Sequence, residues 1–135
     1  MLDTKIAVVV REDLPTWQKL NVVAYLICRV VGANDGLIVE LYEDAAGNAY
    51  NALMIQPTII LSSDRQALKA ICRRAMNLRT RISLCIEDMF TTGHDAANRA
   101  AVMQYPPDAL NVVGVALCED KKTIDKTANG PRTHP

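Results

Sequence analysis

The chain has 135 residues, half of them hydrophobic, with 15 Lys and Arg set against 15 Asp and Glu. That length suits one domain, residues 1–135, able to bury its own core, and the balanced charge leaves no global field to draw in a polyanion. The opening Met1-Leu-Asp-Thr-Lys5 carries an acid and runs into five apolar residues, too few for a signal-peptide core or a membrane span, so a cytoplasmic protein is expected.

Residues 5–11 read as a strand buried on both faces, because Ile6-Ala-Val-Val-Val10 shows no polar alternation. A charged turn with Pro15 follows, and residues 16–31 read as a helix ended by Gly32 and Asn34. In it Leu20, Val23, Ala24, Ile27 and Val31 hold the i, i+3, i+4, i+7 spacing of a core-facing stripe, while Val22, Leu26 and Val30 broaden it. The helix is expected to be packed on more than one side. Residues 37–42 read as a short strand, 44–48 as a turn, and 50–61 as an extended region interrupted at Gln56-Pro57, which together predict a hairpin-like excursion.

Ser63-Asp-Arg-Gln66 has the spacing of a capping box and opens a helix to about residue 76, with Leu68, Ile71, Cys72 and Ala75 inward. Residues 81–86 read as a strand, 96–103 as a short helix broken by Tyr105-Pro106-Pro107, 110–117 as the last central strand, and 120–127 as a final helix stopped near Asn129-Gly130. Strands alternating with helices around apolar runs predict an α/β fold, a three-layer domain with a central mixed, partly parallel sheet flanked by helices. Cys28, Cys72, Cys85 and Cys118 lie far apart inside apolar patterns with no Cys-x-x-Cys spacing, so buried free thiols are expected rather than disulfides or a metal site.

Several polar residues sit where strands deliver side chains to a sheet edge. Lys19 lies near the positive end of its helix, where a cation is unfavourable unless an anion is close; the alternative is a solvated lysine lying off Trp17. Asp88 follows the apolar run ending at Ile86 and could orient a water or hydroxyl with Thr92 nearby; the alternative is that Asp88 caps the next turn and Thr91 or Thr92 begins a helix. His94 beside Asp95 fits a general base or a plain surface residue. Arg65, Lys69, Arg73 and Arg74, with Arg79 and Arg81 beyond, form a basic helix face that could meet a phosphate backbone or merely be solvated. Aromatics are only 4% of the chain, which gives base stacking little to work with. No Gly-x-Ser-x-Gly elbow, Gly-rich phosphate loop or His-Glu-x-x-His is present, which excludes the familiar hydrolase, kinase and zinc-protease mechanisms.

Three motifs in register resemble the type-two peptidyl-tRNA hydrolase superfamily, and within it an uncharacterised bacterial branch. Val9-Val-Arg11-Glu-Asp13-Leu14 leads to Lys19-Leu-Asn-Val-Val23-Ala-Tyr-Leu26-Ile, where the hydrolases have Val-Val-Arg-x-Asp-Leu and Lys-x-Ala-Ala-Gln-x-x-His-Ala. Asp88-Met-Phe-Thr91-Thr92-Gly93 matches Asp-Ala-Gly-x-Thr-Gln, and Val112-Val-Gly114-Val-Ala with Thr123-Ile-Asp125-Lys126 matches the closing strand and helix. The resemblance implies a type-two peptidyl-tRNA hydrolase-like fold, a homodimer, and Lys19, Asp88 and Thr92 as catalytic groups around an ester, with Arg11, Asp13, Thr91 and His94 as ligand contacts. Water would do the cleaving, with no cofactor and no metal, and tRNA or a tRNA-like acyl ester would be the partner. The family's Gln and His fall on Val23 and Leu26, and its tail after the Thr becomes Gly93-His94-Asp95-Ala-Ala-Asn98. Those departures favour a rival, non-enzymatic module that holds a small anionic or partly apolar ligand, or a partner, in the same crevice; around Val23 and Leu26 the crevice is expected either to be filled by Met89 or Phe90 or to take an apolar group.

Overall fold

The structure, a computed structural model, describes residues 3–135. Strand β1, Thr4–Arg11, is the middle of a five-stranded sheet; helix α1 is Thr16–Ala33, and a two-stranded excursion follows as β2, Tyr42–Glu43, and β3, Ala49–Tyr50. Then come β4 (Thr58–Ser63), α2 (Arg65–Asn77), β5 (Ser83–Ile86), α3 (Asp95–Met103), β6 (Val112–Asp120), α4 (Lys121–Thr127) and the short β7 (Arg132–Thr133). The sheet order is β5-β6-β1-β4-β7, and β1 with β4 is its parallel pair, Ile6 opposite Thr58 and Arg11 opposite Ser63. β6 runs antiparallel to β1, with Val10 opposite Gly114. The mixed α/β sheet expected from the sequence is therefore present, with less parallel pairing than an alternation of strands and helices suggests, since β5, β6 and β7 all pair antiparallel.

Alternation along β1 separates two cores. Ile6, Val8 and Val10 pack with Val22, Leu26 and Val30 of α1 on one face; Val9 meets Leu68 and Ile71 of α2 on the other, and Ala7 meets Leu117 of β6 and Ile124 of α4. Each Val, Leu or Ile among them contributes about 1.5–3 kcal/mol of burial. α1 approaches the sheet closely at Gly114, where an added Cβ would stand 2.5 Å from Val22 Cγ1 and 3.0 Å from Leu26 Cδ1.

The face of α1 that meets the sheet is not the stripe favoured by its spacing. Val22, Leu26 and Val30 are buried, Val23, Ile27 and Val31 are half-buried, and Leu20 and Ala24 are exposed. Both stripes are apolar, and contact with Gly114 selects the inner one. α2 is capped by Asp64, whose carboxylate accepts from Ala67 N, so Ser63 closes β4 rather than heading the helix. β6 begins and ends later than the predicted 110–117, because Glu119 and Asp120 still pair with Lys5 and Thr4 of β1. The predicted strand at 37–42 is reduced to an isolated Ile38–Met54 bridge and the Tyr42–Tyr50 pairing, and β7 carries no sequence signal.

Candidate functional site

β1, β4 and β5 all end at the same edge of the sheet, and the sequence supplies a charged residue at each exit. Arg11 is only 4% exposed; its Nε donates to Asp13 Oδ1 at 2.5 Å and its Nη1 to Glu87 Oε2 at 3.5 Å, while Arg65 Nε lies 3.5 Å from Asp13 Oδ2. Burial alone would raise the Asp13 carboxyl, but hydrogen bonding and charge from Arg11, joined by Arg65, hold it below its ordinary value. Glu12 N donates to Ser63 O, tying the β1 exit to the β4 exit. Arg11 and Asp13 thus sit in an ion-pair cluster whose groups satisfy one another.

A cavity of about 480 Å³ lies elsewhere, on the α1 side of the sheet. Its floor is Cys85, Ile86 and Val113, and one wall is the α1 stripe Trp17, Asn21, Tyr25 and Arg29. Opposite stand Met89 and Phe90, from a 3-10 turn over Glu87–Phe90, then Thr92, His94 and Asn98 at the rim. Trp17 and Phe90 meet edge to face with ring centroids 6.3 Å apart, closing one end. Arg29 stitches the wall to the floor: its Nη1 donates to Leu84 O and lies 3.9 Å from Cys85 Sγ, and its Nη2 lies 3.9 Å from Met89 Sδ.

Thr92 Oγ1 is hydrogen-bonded to Met89 O at 3.1 Å and to Asn98 Oδ1, and one hydroxyl proton serves one acceptor at a time. His94 is the N-cap of α3, its Nδ1 accepting from Ala97 N at 3.2 Å, which leaves Nε2 free to face outward. The cap therefore falls on His94, and neither threonine begins the helix. Thr91 is exposed and its hydroxyl closes the 3-10 turn on Asp88 O at 3.0 Å.

Asp88 is turned to a different neighbour. Its Oδ2 accepts the Tyr105 hydroxyl at 2.7 Å, and hydrogen bonding and charge from Asp88 raise the Tyr105 phenol above its ordinary range. Lys19 is half-buried on the sheet-facing stripe of α1, seven residues before Leu26, and has no carboxylate partner among the described residues. Of the residues expected at one crevice, Thr92 and His94 line this cavity, whereas Lys19, Asp88, Arg11, Asp13 and Thr91 are not among its lining. Leu26, aligned with the family's His, is fully buried core, and Val23 packs beside it with Met89 and Phe90.

Sequence reasoning missed Asn21, Tyr25 and Arg29, whose signal was available: positions 17, 21, 25 and 29 repeat every four residues on one side of α1. All four cysteines are free; Cys85 is buried, but Cys28 is exposed at the cavity mouth, because it lies on this outer stripe. Burial raises the Cys85 thiol, and raises that of Cys72 to about 11, so neither is an activated nucleophile. Among the described residues there is no cluster of His, Cys, Asp or Glu able to hold a metal ion, and no helix long and apolar enough to cross a membrane.

Comparison with known proteins gives two matches of wide coverage. The family described as "Protein of unknown function (DUF2000)" matches residues 4–135. The solved structure of a protein of unknown function, Atu0240 from Agrobacterium tumefaciens str. C58, is similar over 100% of both chains, at 47% identity and a TM-score of 0.97. No curated protein matches the chain.

Proposed function

The chain belongs to the DUF2000 family of proteins of unknown function, and from that premise we propose that it is a ligand-binding protein whose cleft holds a small molecule with an aromatic or apolar body and one hydrogen-bonding end. The observation that carries this reading is that the 480 Å³ cavity sets Trp17 and Tyr25 on one side against Met89 and Phe90 on the other, with polar Thr92, His94 and Asn98 at the rim and Asn21 and Arg29 along the α1 wall. That is the usual make-up of a small-molecule site: apolar area for affinity, a few polar groups for orientation.

A second reading, a diverged hydrolase of the type-two peptidyl-tRNA hydrolase kind acting on an acyl ester or peptidyl-tRNA-like substrate, draws support from one observation. Lys19 is half-buried with no carboxylate partner among the described residues, and Thr92 lies one turn after Asp88 at the exit of β5. In that reading Lys19, Asp88 and Thr92 act on the ester and Arg11, Asp13, Thr91 and His94 help hold the substrate. The engagement of Asp88 by Tyr105 weighs against it, because a carboxylate that serves a tyrosine must change partner before it can orient water. The three shared motifs and the helices on both faces of the sheet support a type-two peptidyl-tRNA hydrolase-like fold under either reading.

The test uses Trp17, the only tryptophan in the chain and a wall of the cleft. Its fluorescence is titrated with indole-3-acetate, phenylacetate and N-acetyl amino acids, and in parallel with a CCA trinucleotide as tRNA acceptor mimic. Saturable change with the aromatic acids, lost in Tyr25→Ala, supports the ligand-binding reading. Preference for the trinucleotide, together with hydrolysis of peptidyl-tRNA that Asp88→Asn abolishes, replaces it with the hydrolase.

A further inference from the structure

Arg29 is the only Lys or Arg among the described residues that line the cleft, and it is half-buried there. A guanidinium stays charged at any physiological pH, and a charge partly removed from water calls for a countercharge. None is supplied. Among the described residues Arg29 makes no ion pair, and its hydrogen-bond partners are Leu84 O, Cys85 Sγ and Met89 Sδ. The carbonyl is neutral, a thioether sulfur is a weak acceptor, and burial raises the Cys85 thiol, which keeps it protonated. The acid on the same lining, Asp95, is taken up by Arg99 one turn along α3.

The guanidinium therefore has capacity left on one edge. With Nη1 spent on Leu84 O and Cys85 Sγ, and one Nη2 proton on Met89 Sδ, the N–H of Nε and a second N–H of Nη2 remain. Those two nitrogens form an edge of the fork that a carboxylate meets with both oxygens. Met89 also brings Arg29 beside the rim, since its sulfur lies 3.9 Å from Nη2 while its carbonyl accepts the Thr92 hydroxyl at 3.1 Å. A charged and a neutral donor thus border the same part of the cleft. Tyr25 lies about one turn back along α1 and Trp17 about three.

We propose that the cleft takes a monocarboxylic acid with an aromatic body, the carboxylate forked on Arg29 and the ring against Tyr25. This inference rests on the ligand-binding reading of the cleft and names the class of ligand. One cation matches one negative charge, and no Lys or second Arg among the described lining residues is there to meet the further charge of a phosphate monoester. A wholly apolar ligand would cover the guanidinium and leave it uncompensated.

The experiment is isothermal titration calorimetry of the full chain with phenylacetate, phenylacetamide and phenyl phosphate, in wild type, Arg29→Gln and Arg29→Lys. Acid and amide share their ring and shape and differ in charge. In wild type, phenylacetate is expected to bind at least tenfold more tightly than either of the others. Arg29→Gln closes the gap between acid and amide by weakening the acid alone, and Arg29→Lys, which keeps the charge without the fork, retains part of it. Equal affinity for acid and amide overturns the proposal and leaves the cleft a site for neutral ligands. A gap that survives Arg29→Gln also overturns it, because the carboxylate is then held elsewhere, and so does a preference for phenyl phosphate. Binding of none of the three overturns it together with the reading of the cleft on which it rests. The comparison of acid with amide is made in wild type, so it decides the matter even where Arg29→Gln does not fold.

Discussion

Two regions border the same strand ends and use their polar groups in opposite ways. In the Arg11 cluster the guanidinium is buried and shared between Asp13 and Glu87, with Arg65 adding to Asp13; beside it the α1 seam closes on Gly114 with no room for one more carbon. In the cleft a comparable number of polar groups line empty volume, and the bonds they make, Thr92 to Met89 O and His94 to Ala97 N, fix their positions while leaving valences open. The contrast separates scaffold from site better than residue type does. Arg11, Asp13 and His94 are all expected as ligand contacts from the sequence, yet Arg11 and Asp13 are paired with each other, whereas His94 stands at the rim of the 480 Å³ cavity.

The largest effect that could break this contrast lies in the closed region. Leu26→His restores the residue type found in the hydrolases, but at a site with no exposure and with Gly114 against it. Losing leucine packing and burying an imidazole without a partner is expected to cost about 3–5 kcal/mol, read as a lower urea midpoint. A stable Leu26→His protein would mean that this position opens to a crevice after all, and would revive the hydrolase geometry.

How far the fold could be read from sequence follows the same division. Periodicity placed β1, α1, α2, α3 and α4 within a few residues, because hydrophobic spacing and caps are local. Which side of α1 would be buried was not legible, since Leu20-Val23-Ala24-Ile27 and Val22-Leu26-Val30 are equally apolar and a contact 88 residues away, Gly114 against Leu26, makes the choice. The site was half legible for the same reason. Thr92 and His94, named from a motif resemblance and from a loop after a strand, line the cavity. The partner of Asp88 is Tyr105, beyond α3, and its bond diverts the carboxylate in a way that no motif records.

A smaller effect is expected from Arg11→Met. It leaves Asp13 and Glu87, each about half exposed at 49% and 46%, without their common partner. Because water can reach both carboxylates, the cost is about 1–3 kcal/mol rather than the larger penalty of a fully buried broken pair. The pH dependence gives the sign. Asp13 titrates below 3.8 in the folded chain, so its contribution is complete above the unfolded value and disappears as pH falls through the lower folded one. The difference between wild type and Arg11→Met, followed by thermal melts, should therefore be constant near neutrality and shrink only on the acid side of 3.8. A difference that persists unchanged in acid would show that Arg11 acts through packing of its stem and not through Asp13.

The smallest effect on stability, and the most informative one for the site, is expected from Thr92→Val. Valine keeps the shape and removes the hydroxyl. That hydroxyl is only partly buried, and its acceptors, Met89 O and Asn98 Oδ1, lie beside the open cavity where water can replace it. Stability should change by no more than about 1 kcal/mol, within the range of one hydrogen bond. Binding should respond differently, because a ligand's polar end then faces a methyl group and loses the bond that orients it. A roughly tenfold loss of aromatic-acid affinity at the Trp17 reporter corresponds to about 1.4 kcal/mol. Arg11→Met, by comparison, should lower stability and leave that affinity in place. If Thr92→Val instead unfolds the chain as Arg11→Met does, or leaves aromatic-acid binding untouched, then the rim is scaffold like the Arg11 cluster, and a polar group that borders a cavity in this fold no longer marks where a ligand is held.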